Sequence, residues 1–212
     1  MSEEERVATH EAGHAAMAYM LSRRLEAVSI VGSQHYGGVT ILASAATPDI
    51  DVAELVLPAP LQRARFRRFV ESDIMISLAG VSAAFHLATP TRETGYVPPE
   101  PDEIRAQELA RLATMTPATA NRLENPSPMA TDEEQAERMA WAIAGNQTSA
   151  AYLAWLRAET DALVQGERFR KLVAALVPEL LRRKQISGRL ARRIFDDTIK
   201  EEKDGNANPK QG

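Results

Sequence analysis

The chain has 212 residues, 44% hydrophobic and 25% charged, with a formal net charge of −4, which suits a globular protein with one substantial core or two small ones. The mildly acidic balance gives no general pull toward nucleic acid or an anionic membrane, and the absence of cysteine excludes disulfides, thiolate metal sites and cysteine nucleophiles. No apolar run approaches the roughly 18–20 residues that cross a bilayer and no signal peptide opens the chain, so no membrane span and a cytoplasmic location are expected.

Ser2 followed by Glu5 forms a capping box, and Glu3 and Glu4 suit the positive end of a helix dipole, so a helix is predicted from the outset. Val7, His10, Glu11, His14, Met17, Ala18 and Leu21 then line one face at helical spacing. Within it lies His10-Glu11-Ala12-Gly13-His14. Residues four apart on a helix sit one above the other, so both imidazoles aim at one point and can hold a metal ion. Glu11 lies one residue from His10, within reach of a water at that point. This is the H-E-x-x-H arrangement of zinc peptidases, with the Glu as general base. A chance match on an amphipathic helix is the competing reading, but the chain has only four histidines and two fall in this pattern. Gly13 costs the helix about 1 kcal/mol relative to Ala and allows a close approach to the backbone.

The helix is expected to end near Ser22-Arg23-Arg24. Val28–Val31 and Val39–Leu42 are β-branched runs split by Gly32 and Gly37-Gly38, which read as two short strands of a hairpin. His35 lies between them and reads as a solvated loop residue. Pro58-Ala59-Pro60 is a break, and the basic run Arg63–Arg68 after it reads as a solvated helix face. Ile74, Leu78, Val81 and Phe85 predict a buried helix around Leu78-Ala79-Gly80, with His86 as a capping or core residue at its end. From about Thr89 to Pro128 prolines cluster, and the segment reads as an insertion that holds one helix between Asp102 and Met115.

Thr131 with Glu134 is a second capping box, opening a helix through about Ala144. Helices follow around Tyr152–Val164 and Phe169–Leu181, the latter kinked or restarted at Pro178. Ser187 caps a final helix to about Lys200. The predicted fold is mainly α with a small β-sheet (α+β): one domain over residues 1–200 with the insertion at 89–128, then a disordered tail at 201–212.

A catalytic zinc takes three protein ligands. Met17 and Met20 stand where one large class of zinc peptidases would continue with Gly and His, which excludes that class. Glu54, Glu71, Asp73 and Asp132 remain as candidates, and local chemistry does not choose among them. Asp132 has its own structural explanation, since an acid in a helix's first turn stabilises the dipole.

Val7-Ala8-Thr9-His10-Glu11-Ala12-Gly13-His14-Ala15 resembles the opening of the peptidase domain of FtsH-family AAA+ zinc proteases. So do Val28-Ser29-Ile30, Gly37-Gly38-Val39-Thr40, the small-residue helix at Leu78-Ala79-Gly80 and the turn Ile186-Ser187-Gly188. Thr131-Asp132-Glu133-Glu134-Gln135-Ala136 is similar to the family's Asn-Asp-x-x-Gln-Ala segment, whose Asp is the third zinc ligand. The resemblance covers nearly all of the chain before its tail. It implies a Zn²⁺ site of His10, His14 and Asp132, with Glu11 as the catalytic base. It also implies an extended polypeptide substrate added along Gly37, Gly38, Val39, Thr40 and Ile41. The departures are Thr131 for the family's Asn, Val81 and Phe85 near its Arg and Glu, and a longer insertion.

No G-x-x-x-x-G-K-[ST] loop occurs. The chain is therefore expected to be a peptidase domain without its ATPase module, either stand-alone or trimmed. A hexamer, or a separate AAA+ partner, is what the resemblance implies for assembly. Two rivals belong to other classes. One is a catalytically weak metal-binding adaptor of the same fold. The other is a nucleic-acid or partner-binding protein that uses Arg182, Arg183, Lys184, Arg189, Arg192 and Arg193, where a solvated helix face is the plainer explanation.

Overall fold

A computed structural model describes residues 2–32, 37–42, 60–87, 131–145 and 148–206, giving the backbone alone for 60–65 and 201–206. Its helices are α1 (Glu3–Met20), α2 (Pro60–Leu87), α3 (Asp132–Ala144), α4 (Ser149–Gln165), α5 (Glu167–Arg183) and α6 (Gly188–Asn206). The strands are β1 (Leu25–Ser29), β2 (Val39–Leu42) and β3 (Gln185–Ser187). The protein is thus mainly helical with a small antiparallel sheet, as the sequence predicts.

α1 starts where its capping box requires. Ser2 Oγ accepts from Glu5 N at 3.2 Å, and Glu5 Oε2 accepts from Ser2 N at 2.6 Å. The apolar part of its buried face is built of small residues, Ala8, Ala12, Ala15 and Ala16, with Met17 the one large apolar side chain. Small residues let α2 approach closely: a Cβ on Gly13 would lie 2.5 Å from Ala83 Cβ and 2.8 Å from Ala79 O. Gly13 is therefore a packing requirement.

Two apolar clusters form the core. In the first, α1 and β1 pack on Phe169, Leu172, Val173, Leu176 and Leu180 of α5 and Phe195 of α6. The α5 residues recur at helical spacing, and fully burying each such side chain stabilises by about 1.5–3 kcal/mol. In the second, Ile74 and Leu78 of α2 meet Ala136 and Ala140 of α3 and Leu153 and Leu156 of α4. Because Ile76, Ala79 and Ala83 face the first cluster, α2 is apolar on more than one side. This explains why Phe66–Leu87 is long and apolar enough to cross a membrane by length and composition, although the sequence reading found no such run. Its buried apolar residues lie inside the fold, Ile74 and Leu78 in the second cluster and Ile76, Ala79 and Ala83 in the first.

The sheet has the order β2-β1-β3. β1 pairs antiparallel with both neighbours, Val28 facing Thr40 on one side and Ile186 on the other. β1 and β2 pair antiparallel as predicted, but β1 lies at Leu25–Ser29 and not at Val28–Val31. β3 was not predicted, because three residues are too short to carry a periodicity.

Other boundaries differ for physical reasons. α2 begins at Pro60, where a missing N–H is harmless, and runs well upstream of its predicted core. α5 continues through Pro178 without restarting. Pro178 and Ala174 both lie on its exposed side, where water can satisfy the carbonyl that the proline leaves unbonded. Lys184, at φ 64°, turns the chain out of α5, and its carbonyl accepts from Ile30 N at 2.8 Å. Ser187 Oγ accepts from Leu190 N at 3.3 Å, capping α6 as expected. That helix extends past Lys200 to Asn206, first through Glu201, Glu202 and Lys203, which favour helix, and then through Asp204, Gly205 and Asn206, which do not. His35, Glu54, the segment at 89–128 and the last residues of the tail lie outside the described residues.

Candidate metal centre

His10 and His14 stand one turn apart on α1, their rings edge to face with centroids 4.6 Å apart. Asp132 reaches them from the first turn of α3. Its Oδ2 lies 3.0 Å from His10 Nε2 and 3.2 Å from His14 Nε2, and the two nitrogens are 3.0 Å apart. Residues 122 positions apart in sequence are thus brought to one point. The placement rests on two capping boxes. Thr131 Oγ1 accepts from Glu134 N at 3.2 Å, and Glu134 Oε2 accepts from Thr131 N at 3.0 Å, so α3 starts at Asp132.

These three residues could hold a metal ion. Two nitrogens and one carboxylate oxygen are a donor set that zinc accepts, and tetrahedral ligation at about 2.0–2.1 Å places donors about 3.3–3.4 Å apart. The observed triangle of 3.0, 3.0 and 3.2 Å needs to open by only a few tenths of an ångström. His14 is further prepared: its Nδ1 donates to the Ile76 carbonyl of α2 at 2.6 Å, which leaves Nε2 as the ligand atom. α2 is also held close by Gly80, where a Cβ would lie 2.3 Å from His14 Nε2. The His14 side chain is 8% exposed, against 25% for His10 and 35% for Asp132, so the site is open on the His10–Asp132 side.

The electrostatics follow from this closeness. Burial, the largest influence on Asp132, would raise its pKa, but hydrogen bonds and charge from both histidines hold it well below the carboxylate range. Burial likewise pulls His14 down, and is outweighed by Asp132, with Glu11 and the Ile76 carbonyl adding to the rise. Glu11 is 4% exposed, and burial pushes its carboxyl above the usual value against the opposing effects of His14, Thr40 and His10. Glu11 Oε2 accepts a hydrogen bond from Thr40 Oγ1 of β2 at 2.8 Å.

Of the competing carboxylates, the two among the described residues are engaged elsewhere. Glu71 pairs with Arg67 at 3.1 Å and accepts from Tyr152, while Asp73 pairs at 3.0 Å with Arg23, whose guanidinium stacks 3.7 Å over Phe69. His86 lies 3.8 Å from Asp161, remote in role from this group. In the basic cluster, Arg182 and Arg183 both pair with Glu179, and Lys184 with Glu4.

Gly37, Gly38, Val39, Thr40 and Ile41 lie on β2 and its approach, and β2 has a neighbour on one side only among the described residues. A Cβ on Gly38 would lie 2.7 Å from Glu11 Cγ, so the approach to the strand packs directly on Glu11. Sequence reasoning did not reach the Ile76 carbonyl, because a backbone group leaves no mark in the residue types. The small-residue run around Gly80 was the available signal for α2's close approach. Comparison of the chain with models of known protein families finds no match, and comparison with curated proteins finds none.

Proposed function

We propose that this protein is a zinc-dependent endopeptidase acting on unfolded polypeptides. The observation that carries the reading is the convergence of His10, His14 and Asp132, with a buried carboxylate, Glu11, beside them. The resemblance to the FtsH-type peptidase domain supports it independently, since it points to the same Asp132 among several acids. When bound, zinc supplies a Lewis acid that acidifies a water molecule and polarises the peptide carbonyl. His10 Nε2, His14 Nε2 and Asp132 Oδ2 would hold it.

Glu11 then serves as the base. With Oε2 engaged by Thr40, Oε1 receives the proton of the attacking water and passes it to the leaving amine. The side of β2 that has no neighbour among the described residues offers backbone groups to an extended chain, which would add as a further strand beside the site. Ile41, 43% exposed, gives that edge an apolar contact.

No G-x-x-x-x-G-K-[ST] loop occurs in these 212 residues, and no coupling of nucleotide hydrolysis to unfolding is proposed for them. Cleavage then tracks how often a substrate opens, falling tenfold for each ~1.4 kcal/mol of its stability. The test is casein digestion by the purified chain. Slow cleavage is expected, stopped by a chelator, restored by zinc and indifferent to ATP. Cleavage that survives complete metal removal would refute the reading.

A further inference from the structure

We propose that the Thr40 hydroxyl is the positioning group for Glu11, fixing one carboxylate oxygen so that the other faces the reacting water. The inference rests on the peptidase reading above. Thr40 Oγ1 is 2.8 Å from Glu11 Oε2 and 3.1 Å from the Glu11 carbonyl oxygen. A hydroxyl has one proton to give, and an ionised carboxylate is the stronger acceptor, so the bond to Oε2 prevails. Among the described residues Oε1 has no hydrogen-bond donor, and it is the oxygen left to work.

The segment leading into β2 restricts Glu11 from a second direction. A Cβ on Gly38 would lie 2.7 Å from Glu11 Cγ and 2.8 Å from Oε1, so any larger residue would displace this rotamer. Glu has a long side chain with substantial rotamer freedom, and a base must be held in a productive geometry to act. Hydroxyl and glycine together select one arrangement. Thr40 belongs to the strand that meets the substrate, yet a peptide would pair with the backbone of β2, whereas Thr40 reaches Glu11 through its side chain. Loss of the hydroxyl should therefore slow the chemical step and leave substrate binding nearly unchanged.

Thr40→Val keeps the β-branched shape and removes the donor; Thr40→Ser keeps the donor. With zinc-loaded protein and an unfolded substrate, Thr40→Val should lower kcat at least about tenfold at unchanged KM and zinc content, with Thr40→Ser recovering most of the rate. Independently of activity, a thermal-unfolding cycle of Thr40→Val with Glu11→Ala tests the contact itself. Thr40→Val should lower Tm by about 3 °C in the native background and have little effect beside Glu11→Ala. Additive Tm changes would overturn the proposal whether or not the enzyme is active. So would coupled Tm changes with an unaltered kcat in an active enzyme, since the bond would then be structural only. Coupled Tm changes in a wild type that, loaded with zinc, cuts nothing would refute the peptidase reading itself, and the positioning role with it.

Discussion

Asp132 has two roles available to any acid at a helix N-terminus, and only the fold separates them. A dipole partner needs no second helix, whereas Asp132 Oδ2 lies within 3.2 Å of both His10 and His14. Asp132→Ala should therefore reduce zinc from one equivalent to below about a tenth while far-UV helicity stays, because two histidines alone hold zinc poorly. Full zinc occupancy in that variant would show the assignment wrong. Gly80 gives a sharper test, since no sequence argument marks it as part of the site. A Cβ there would collide with His14 Nε2 at 2.3 Å, and neither the imidazole nor the helix backbone can yield cheaply. Gly80→Ala should abolish zinc binding and cost about 1–3 kcal/mol of stability, read by metal analysis and thermal unfolding. Val81→Ala, one residue along on a side that is 39% exposed, should leave zinc content unchanged. At this scale the sequence carried the two histidines and Glu11 by spacing alone, and Asp132 only through resemblance. The Ile76 carbonyl was invisible, and the closeness of Gly80 to His14 showed only as a run of small residues, because both depend on how α2 lies against α1.

Elements were legible where chain-local chemistry decides them. Both capping boxes could be read from Ser2–Glu5 and Thr131–Glu134, and both are formed. What escaped was set by tertiary packing: β3 exists because Ile186 pairs with Val28, and α5 runs through Pro178 because that side faces water. The cap of α3 also bears on the proposed metal site, since Asp132 is the first residue after it. Thr131→Ala should destabilise by about 1 kcal/mol, lowering Tm by about 2–4 °C, and should weaken zinc binding by loosening Asp132. Thr131→Asn, an equally good cap, should restore both. If Thr131→Ala binds zinc as tightly as wild type, the cap serves the helix alone.

Across the whole molecule, the metal group joins parts of the fold that otherwise belong to different clusters. α1 packs in the cluster with α5 and α6 and α3 in the other, while α2, and α4 through Val164, contribute to both. An ion held by His10, His14 and Asp132 would add a direct link between α1 and α3. Zinc at about 100 times its dissociation constant should contribute about 2.7 kcal/mol, raising Tm by about 5–11 °C, and the rise should vanish in Asp132→Ala. A Tm independent of zinc would mean that the folded chain does not bind the ion, and a rise that persists in Asp132→Ala would mean that the ion binds elsewhere. The central claim is that Glu11 performs chemistry at this site. It is tested most directly by comparing cleavage of an unfolded polypeptide by wild type and Glu11→Gln, each shown to hold one zinc. Glu11→Gln keeps the shape of the side chain and removes its proton affinity, so the rate should fall by at least about 10²-fold. Equal rates at equal zinc occupancy would contradict the account.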